Sequence, residues 1–448
     1  MIVLLTAIQA IAIGLLPLAL TFWYYRDLVA VTHPRIYFTY SDAIIFASDG
    51  LVLIIIFIWG IKRSPHLTGL AKFNARRILN RPVRCCRNSD GWLLGLCTLA
   101  TLSIMWSLDW RISLHVSLHL WLVFGLYLAL RDTPQAWRWF ALGSCAALVT
   151  QAIIGFAQFS IQSTTFTMAL GLEWPGDLTP QIGGASVVQL ADGARWLRAY
   201  GTLPHPNILG GFALVFIAAP VNFFLNHSKQ KAITLMLFAL AIILIALTFS
   251  RSAWLGLSMF ALTILFHFRR FERKRLIALG LTSLLCLLIL IIPLRQLFFT
   301  RVGDEQTQTE QVSTYTRLWL IERTWEIIQQ HPLLGVGVGN YSLALSQHVA
   351  DFYDIEPVHN TPMLILSELG IGGAMLLIGL AIAFGKKVTP TRHPVAVILS
   401  GTLVALLTIS FFDHYLWTLA PGRMLVGAML GLWASQLPQF HISSDHPE

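Results

Sequence analysis

Charge is what this chain of 448 residues has least of: Asp, Glu, Lys and Arg make up 12%, against 56% from the hydrophobic set, and the mean hydropathy is +0.67. A soluble globule carries about a quarter charged residues, so that class is excluded. Cysteine is also sparse, five in all, which excludes a disulfide-stapled scaffold. Cys97, Cys145 and Cys286 fall inside apolar runs, while Cys85 and Cys86 sit on a basic connection as two reduced thiols, with acylation as the alternative. The sequence shows neither an internal repeat nor a low-complexity linker, and lysine is rarer than arginine.

Apolar runs near the ~20 residues needed to cross a bilayer as a helix take the place of charge. Twelve occur: 2–24, 43–61, 92–108, 113–130, 139–159, 207–225, 232–249, 252–268, 276–294, 362–384, 395–412 and 423–437. They predict an all-α polytopic membrane protein with about 12 transmembrane helices and residues 1–448 as a single membrane domain. The first run lacks a basic leader and ends in Phe22-Trp23-Tyr24-Tyr25, so it reads as a retained span with an interfacial aromatic belt.

Lys62, Arg63, Lys72, Arg76, Arg77, Arg81, Arg84 and Arg87 crowd one connection, and Arg269, Arg270, Arg273, Lys274 and Arg275 another. The positive-inside rule makes both cytoplasmic. Twelve spans then put both termini in the cytoplasm and leave 160–206 and 295–361 as outer loops. All seven lysines fall inside, whereas arginines 26, 35, 111, 195, 198, 251, 295, 301, 317, 323 and 423 fall outside. The net charge of +9 therefore reflects topology and contact with anionic membrane lipids, not nucleic acid. Outer cations that are all arginine suit bidentate phosphate recognition. The alternative is pairing with the outer carboxylates, among them Glu310, Glu322 and Glu326.

The larger outer loop carries its own helix signal in "STYTRLWLIERTWEIIQQHPLLGVG". Ser313 or Thr314 caps it, Leu318, Ile321, Trp325 and Ile327 are apolar, and His331-Pro332 with Gly335 ends it. An amphipathic helix at the outer interface is expected.

Four segments offer chemistry. In "VHNTPMLILSELGIGG", Thr361 can cap a helix that Pro362 opens, so His359 hangs over the positive end of its dipole, which disfavours protonation and leaves an imidazole able to accept a proton; a structural surface histidine is the alternative. Arg251, in "ALTFSRSAWLG", lies between two apolar runs at the membrane edge, where charge is expensive and marks function unless it snorkels to headgroups. Arg317 sits near the start of the interfacial helix, where the dipole opposes a cation unless an anion compensates; an ion pair with Glu310 or Glu322 is the alternative. Arg198, in "RAYGTLPHPNILGG", leads to a helix start that Asn207 caps, with loop packing as the alternative.

Three patterns carry less. "GVGVGN", 335–340, has neither a preceding strand nor a following lysine and is no phosphate loop. His115 and His119 have metal-ligand spacing without a third ligand in register. Asp351, Asp354 and Glu356 form an acidic cluster for a divalent ion, but the outer arginines make one unnecessary.

Taken in order, Arg-Ala-Tyr-Gly with Pro-Asn (198–207), Ser-Arg-Ser-Ala-Trp (250–254), Thr-Arg-Leu-Trp ahead of His-Pro-Leu-Leu-Gly-Val-Gly (316–337) and His-Asn-Thr-Pro with Glu-Leu-Gly (359–370) resemble the O-antigen ligase and O-antigen polymerase superfamily. The resemblance implies a glycosyltransferase of the C-type fold in the cytoplasmic (inner) membrane, its active site facing the periplasm or exterior. It implies transfer of a glycan from an undecaprenyl diphosphate carrier to a sugar hydroxyl on a lipid core or glycan acceptor, with inversion and without a metal or other cofactor. Carried over by motif, His359, Arg317 and Arg251 are catalytic, while Arg198, His205, Asn207 and Asn360 bind diphosphate or glycan. Repeat-unit polymerisation and protein O-glycosylation use the same donor, and a membrane transporter is the reading from another class.

Overall fold

Hydrocarbon offers no water to the backbone, so an apolar chain there closes its own hydrogen bonds as helices, and that is where the apolar runs lie in the computed structural model. It describes residues 2–29, 36, 38–64, 88–172, 175–226, 230–268, 272–303, 307–349, 355–388 and 393–437. The helices are α1 (Ile2–Thr21), α2 (Phe38–Ser41), α3 (Ala47–Arg63), α4 (Asn88–Leu102), α5 (Trp110–Asp132), α6 (Ala136–Ile161), α7 (Pro206–Phe216), α8 (Ala218–Asn226) and α9 (Lys231–Leu247). They continue with α10 (Arg251–Phe268), α11 (Arg273–Ile291), α12 (Arg295–Gly303), α13 (Gln308–Gln330), α14 (Tyr341–His348), α15 (Thr361–Val388), α16 (Pro394–Ser410), α17 (Tyr415–Thr418) and α18 (Ala420–Ser435). Seven segments are long and apolar enough to cross a membrane: α1, α5, α6, the α7–α8 pair, α10, α11 and α15. Three more apolar helices, at Ser89–Met105, Lys231–Leu247 and Pro394–Ser410, are shorter. The protein is an all-α polytopic membrane protein.

Several expectations fall outside the described residues: Arg35, the basic stretch from Lys72 to Arg87 with Cys85 and Cys86, Arg269, Arg270, Asp351 and Asp354. Others are corrected. The first run leaves the helix after Thr21, and Tyr25–Val29 (β1) pairs antiparallel with Ala43–Phe46 (β2). A second hairpin joins Val187–Gln189 (β3) to Arg195–Leu197 (β4) in the loop expected over 160–206. Both are too short for a periodic signal to stand out in the sequence.

Small residues let the helices approach closely, as packing in lipid favours. At the α1–α6 crossing a Cβ on Gly143 would sit 1.8 Å from the Gly14 carbonyl oxygen, and one on Gly211 would meet the Tyr415 hydroxyl at 1.7 Å. The glycine-rich "GVGVGN" has a mechanical role. Gly335, Gly337 and Gly339 all take positive φ, so the segment turns tightly against α15, where Val336 and Gly337 donate their N–H groups to the Ser367 and Glu368 carbonyls at 3.0 and 2.9 Å. That strap meets α15 where Gly370, at φ 62° and ψ −163°, breaks the helix, so the run expected as one straight span is kinked.

Helix α13 begins at Gln308, with Thr307 in the capping position, earlier than Ser313 or Thr314. Val312, Tyr315, Leu318, Ile321 and Trp325 are exposed, while Leu320, Thr324 and Ile327 are buried. Arg317 consequently lies in mid-helix, and the expected conflict with the helix dipole does not arise.

Candidate active site

Asn360 caps α15: its Oδ1 accepts from the Met363 N–H at 2.9 Å, and its Nδ2 donates to the Phe411 carbonyl at 3.1 Å. Thr361, expected as the cap, donates its hydroxyl to the Asp413 carbonyl at 2.9 Å. These bonds stitch the start of α15 to the 411–414 turn and fix His359 against it. His359 Nδ1 lies 3.9 Å from Asp413 Oδ1, and its Nε2 lies 3.9 Å from Glu356 Oε2. The ring centroid is 5.1 Å from that of His414. Nδ1 is buried and has no hydrogen-bond partner among the described residues, so it faces the carboxylate through space.

Asp413 is itself held by a relay. Its Oδ2 accepts from Asn207 Nδ2 at 3.1 Å, and Asn207 Oδ1 accepts from Arg198 at 2.6 Å. Arg198 is buried, and its remaining donors go to the Thr248 carbonyl and the Ser186 hydroxyl, each at 2.6 Å. Asn207 is not the cap of α7; His205 is, accepting from the Asn207 N–H on Nδ1 at 3.1 Å. Arg198 is therefore packed within the protein, as its alternative reading had it, and Arg198 and Asn207 form a hydrogen-bonded chain to Asp413. Burial opposes ionisation of Asp413, but the imidazole of His359, with His414 and His205 behind it, outweighs burial and holds the carboxyl below its usual range.

On the other side of Asp413 lie three guanidiniums and one carboxylate. Glu310 pairs with Arg251 at 3.2 Å and with Arg301. Arg301 also donates to the Phe249 carbonyl through Nε and Nη2, at 3.2 and 3.1 Å; Phe249 aims that oxygen by adopting φ 47° in the turn before α10. Glu322 goes to Arg323, at 3.3 Å. Both carboxylates suggested for Arg317 are thus engaged elsewhere, and Arg317 makes neither a hydrogen bond nor an ion pair with any described residue. Burial works against its charge; Asp413 favours the charge and Arg251 opposes it. Burial, partly offset by Glu310, likewise depresses Arg301. An anion among the three guanidiniums would relieve each of these pressures.

Residues 236–378 match the family model described as O-antigen ligase. That segment, about a third of the chain, is similar to the O-antigen ligase family. No curated protein matches the chain. The matched segment contains Arg251, Arg301, Glu310, Arg317 and His359, whereas Arg198, Asn207, Asp413 and His414 lie outside it.

The structure thus places His359 and Arg317 beside Asp413, and Arg251 near Arg317 through the Glu310 cluster. Arg301, Asp413 and His414 were not singled out in the sequence. A signal existed for the last two: an ionisable pair in "FFDHYLW" between two apolar runs, the same pattern that marks Arg251. Ligand atoms of His359, Asp413 and His414 lie within 4.8 Å of one another, near enough to share a cation. That set is already spent in part, because Asp413 Oδ2 holds Asn207 and His414 Nδ1 holds the Thr418 hydroxyl at 2.9 Å. A divalent ion there would also compete with Arg317 for the same carboxylate.

Proposed function

We propose that this chain transfers a glycan from an undecaprenyl diphosphate carrier to a sugar hydroxyl of an acceptor, as an O-antigen ligase acting on the outer face of the cytoplasmic membrane. The observation that carries the reading is the guanidinium of Arg317, without an ion-pair partner among the described residues, beside Arg251 and Arg301, with His359 and Asp413 adjacent. The apolar runs support twelve crossings, the distribution of lysine and arginine supports cytoplasmic termini and an outward-facing site, and the family resemblance implies a C-type fold.

A diphosphate is a competent leaving group, so the step chiefly requires stabilisation of the charge that grows on it, and fixed guanidiniums in a partly dry site supply that. They do the work for which other transferases use a divalent ion, so no metal enters this scheme. His359 keeps its proton on Nδ1, facing Asp413, and its Nε2 lone pair takes the proton of the acceptor hydroxyl. The hydroxyl oxygen attacks the anomeric carbon, the bond from that carbon to the diphosphate oxygen breaks, and the configuration inverts. Such a base contributes on the order of 10²- to 10⁴-fold in rate.

The test is transfer in proteoliposomes with a defined lipid-linked donor and acceptor. Arg317→Ala and His359→Ala each abolish product while the protein still inserts and purifies, and Asp413→Asn lowers the rate by about 10²-fold. Full activity in either alanine variant would remove the mechanism.

A further inference from the structure

A second polar cavity lies beside this site, and the scheme above leaves it unused. It encloses about 620 Å³ of empty space, part of it open to solvent, and Tyr40, Asp42, His115, Glu368, Trp417 and Arg423 line it. The guanidiniums of Arg251, Arg301 and Arg317 do not line it. His414 links the two regions: its ring packs edge-on against Tyr40 at 5.8 Å and against His359 at 5.1 Å. Pro357 and Thr418, next to His359 and bonded to His414 respectively, form part of the wall.

The floor is a built network inside the bundle, where ionisable side chains are costly and mark function by default. Arg423 donates to the Trp417 and Thr418 carbonyls at 2.7 and 3.0 Å and to His119 Nδ1 at 3.2 Å. His119 Nε2 then points at Asp49 Oδ2, 3.4 Å away. Trp417 Nε1 donates to Glu368 Oε2 at 2.8 Å. The Nε of Arg423 is buried without a partner among the described residues. His115 Nε2 accepts from the Ile44 N–H at 3.4 Å, which puts the ring hydrogen of a neutral imidazole on Nδ1, and Nδ1 makes no hydrogen bond to a described residue.

Donors (Arg423, His115) and acceptors (Glu368, Asp42) share this wall with the aromatic side chains of Tyr40, Phe46, Tyr341 and Trp417. A diphosphate would meet two carboxylates, and a hydrocarbon chain would leave Arg423 Nε and His115 Nδ1, which have no partner among the described residues, unsatisfied. A hydroxyl-rich ring satisfies both kinds of group and stacks on the aromatics. The contrast with the neighbouring cavity sharpens the choice: it shares Trp417 and Arg423 but is otherwise walled by side chains such as Leu96, Phe124, Ile365 and Leu406.

We infer that the cavity between Tyr40, His115, Glu368 and Arg423 is a sugar-binding subsite that seats the acceptor's reacting end against His359. This rests on the proposed transfer reaction, in which nucleophile and leaving group approach the anomeric carbon from opposite sides; His359 does not line the cavity but is joined to its wall through His414, which packs on both Tyr40 and His359, and Arg251, Arg301 and Arg317 are absent from the lining.

Two measurements on the full-length chain in nanodiscs test it. In saturation-transfer NMR with glucose, galactose and N-acetylglucosamine as probes, at least one sugar binds the wild type and His115→Ala weakens it about tenfold, the value of one lost hydrogen bond. In the transfer assay, His115→Ala and Glu368→Gln each raise the KM for acceptor about tenfold and leave the KM for donor unchanged. Binding of none of the three sugars, binding indifferent to His115→Ala, or an equal rise in both KM values overturns the subsite. Thermal denaturation of both variants separates misfolding from lost binding, and the variant that retains the wild-type Tm decides. Absence of any glycan product from the wild type would sink the transfer reaction, while the NMR result would still decide the cavity.

Discussion

His414 sits behind His359 with its Nδ1 bonded to Thr418, and it is kept neutral by its surroundings. Burial, reinforced by the neighbouring His359, lowers it to about 3, Asp413 pulling the other way. His205 is lowered as well, by burial and then by Arg198. A histidine whose folded pKa lies below its unfolded value binds fewer protons folded than unfolded between the two. Stability is therefore full above about 6.5 and is lost as pH falls from 6.5 towards 3. The expected outcome is an apparent Tm that declines through this window, with His414→Phe flattening the decline; an unchanged slope in that variant would contradict the assignment. Residue type made His359, Arg251 and Arg317 legible, because an isolated ionisable group at a membrane edge is conspicuous. It did not reveal that the Arg198 and Asn207 side chains donate to groups of the protein itself, since a sequence does not say where a side chain spends its donors.

At the scale of elements, the strap and the kink in α15 set the height of the helix start that carries His359. A Cβ at Gly370 would lie 2.1 Å from the Leu333 carbonyl oxygen, and one at Gly335 would lie 2.4 Å from the Glu368 backbone. Backbone meets backbone there, so nothing flexible can give way. Gly370→Ala adds strain at positive φ, about 1–3 kcal/mol before the clash is counted, so a Tm several degrees below wild type and reduced transfer are expected. A wild-type Tm would show that the strap does not depend on this contact. Apolar periodicity placed the helices well because each must hide its own backbone. The caps were misassigned at α7, α13 and α15 because several neighbouring Ser, Thr, Asn and His side chains compete for each one, and tertiary partners such as the 411–414 turn decide among them.

Across the whole molecule, the described residues put apolar helices around one end that gathers Arg251, Arg301, Arg317, Glu310, Asp413 and His359. Five separate segments supply these groups, which is why the ordered motifs carried the resemblance while the contribution of the 411–414 turn stayed hidden. The account's central claim is that the guanidiniums wait for a lipid diphosphate beside an imidazole that activates the acceptor. Cryo-EM of the chain in nanodiscs with undecaprenyl diphosphate tests this most directly. Phosphate oxygens within about 3.5 Å of Arg317 and Arg251, with His359 facing the same cavity, is the predicted result. A diphosphate held elsewhere, with Arg317 still unpaired, would contradict it.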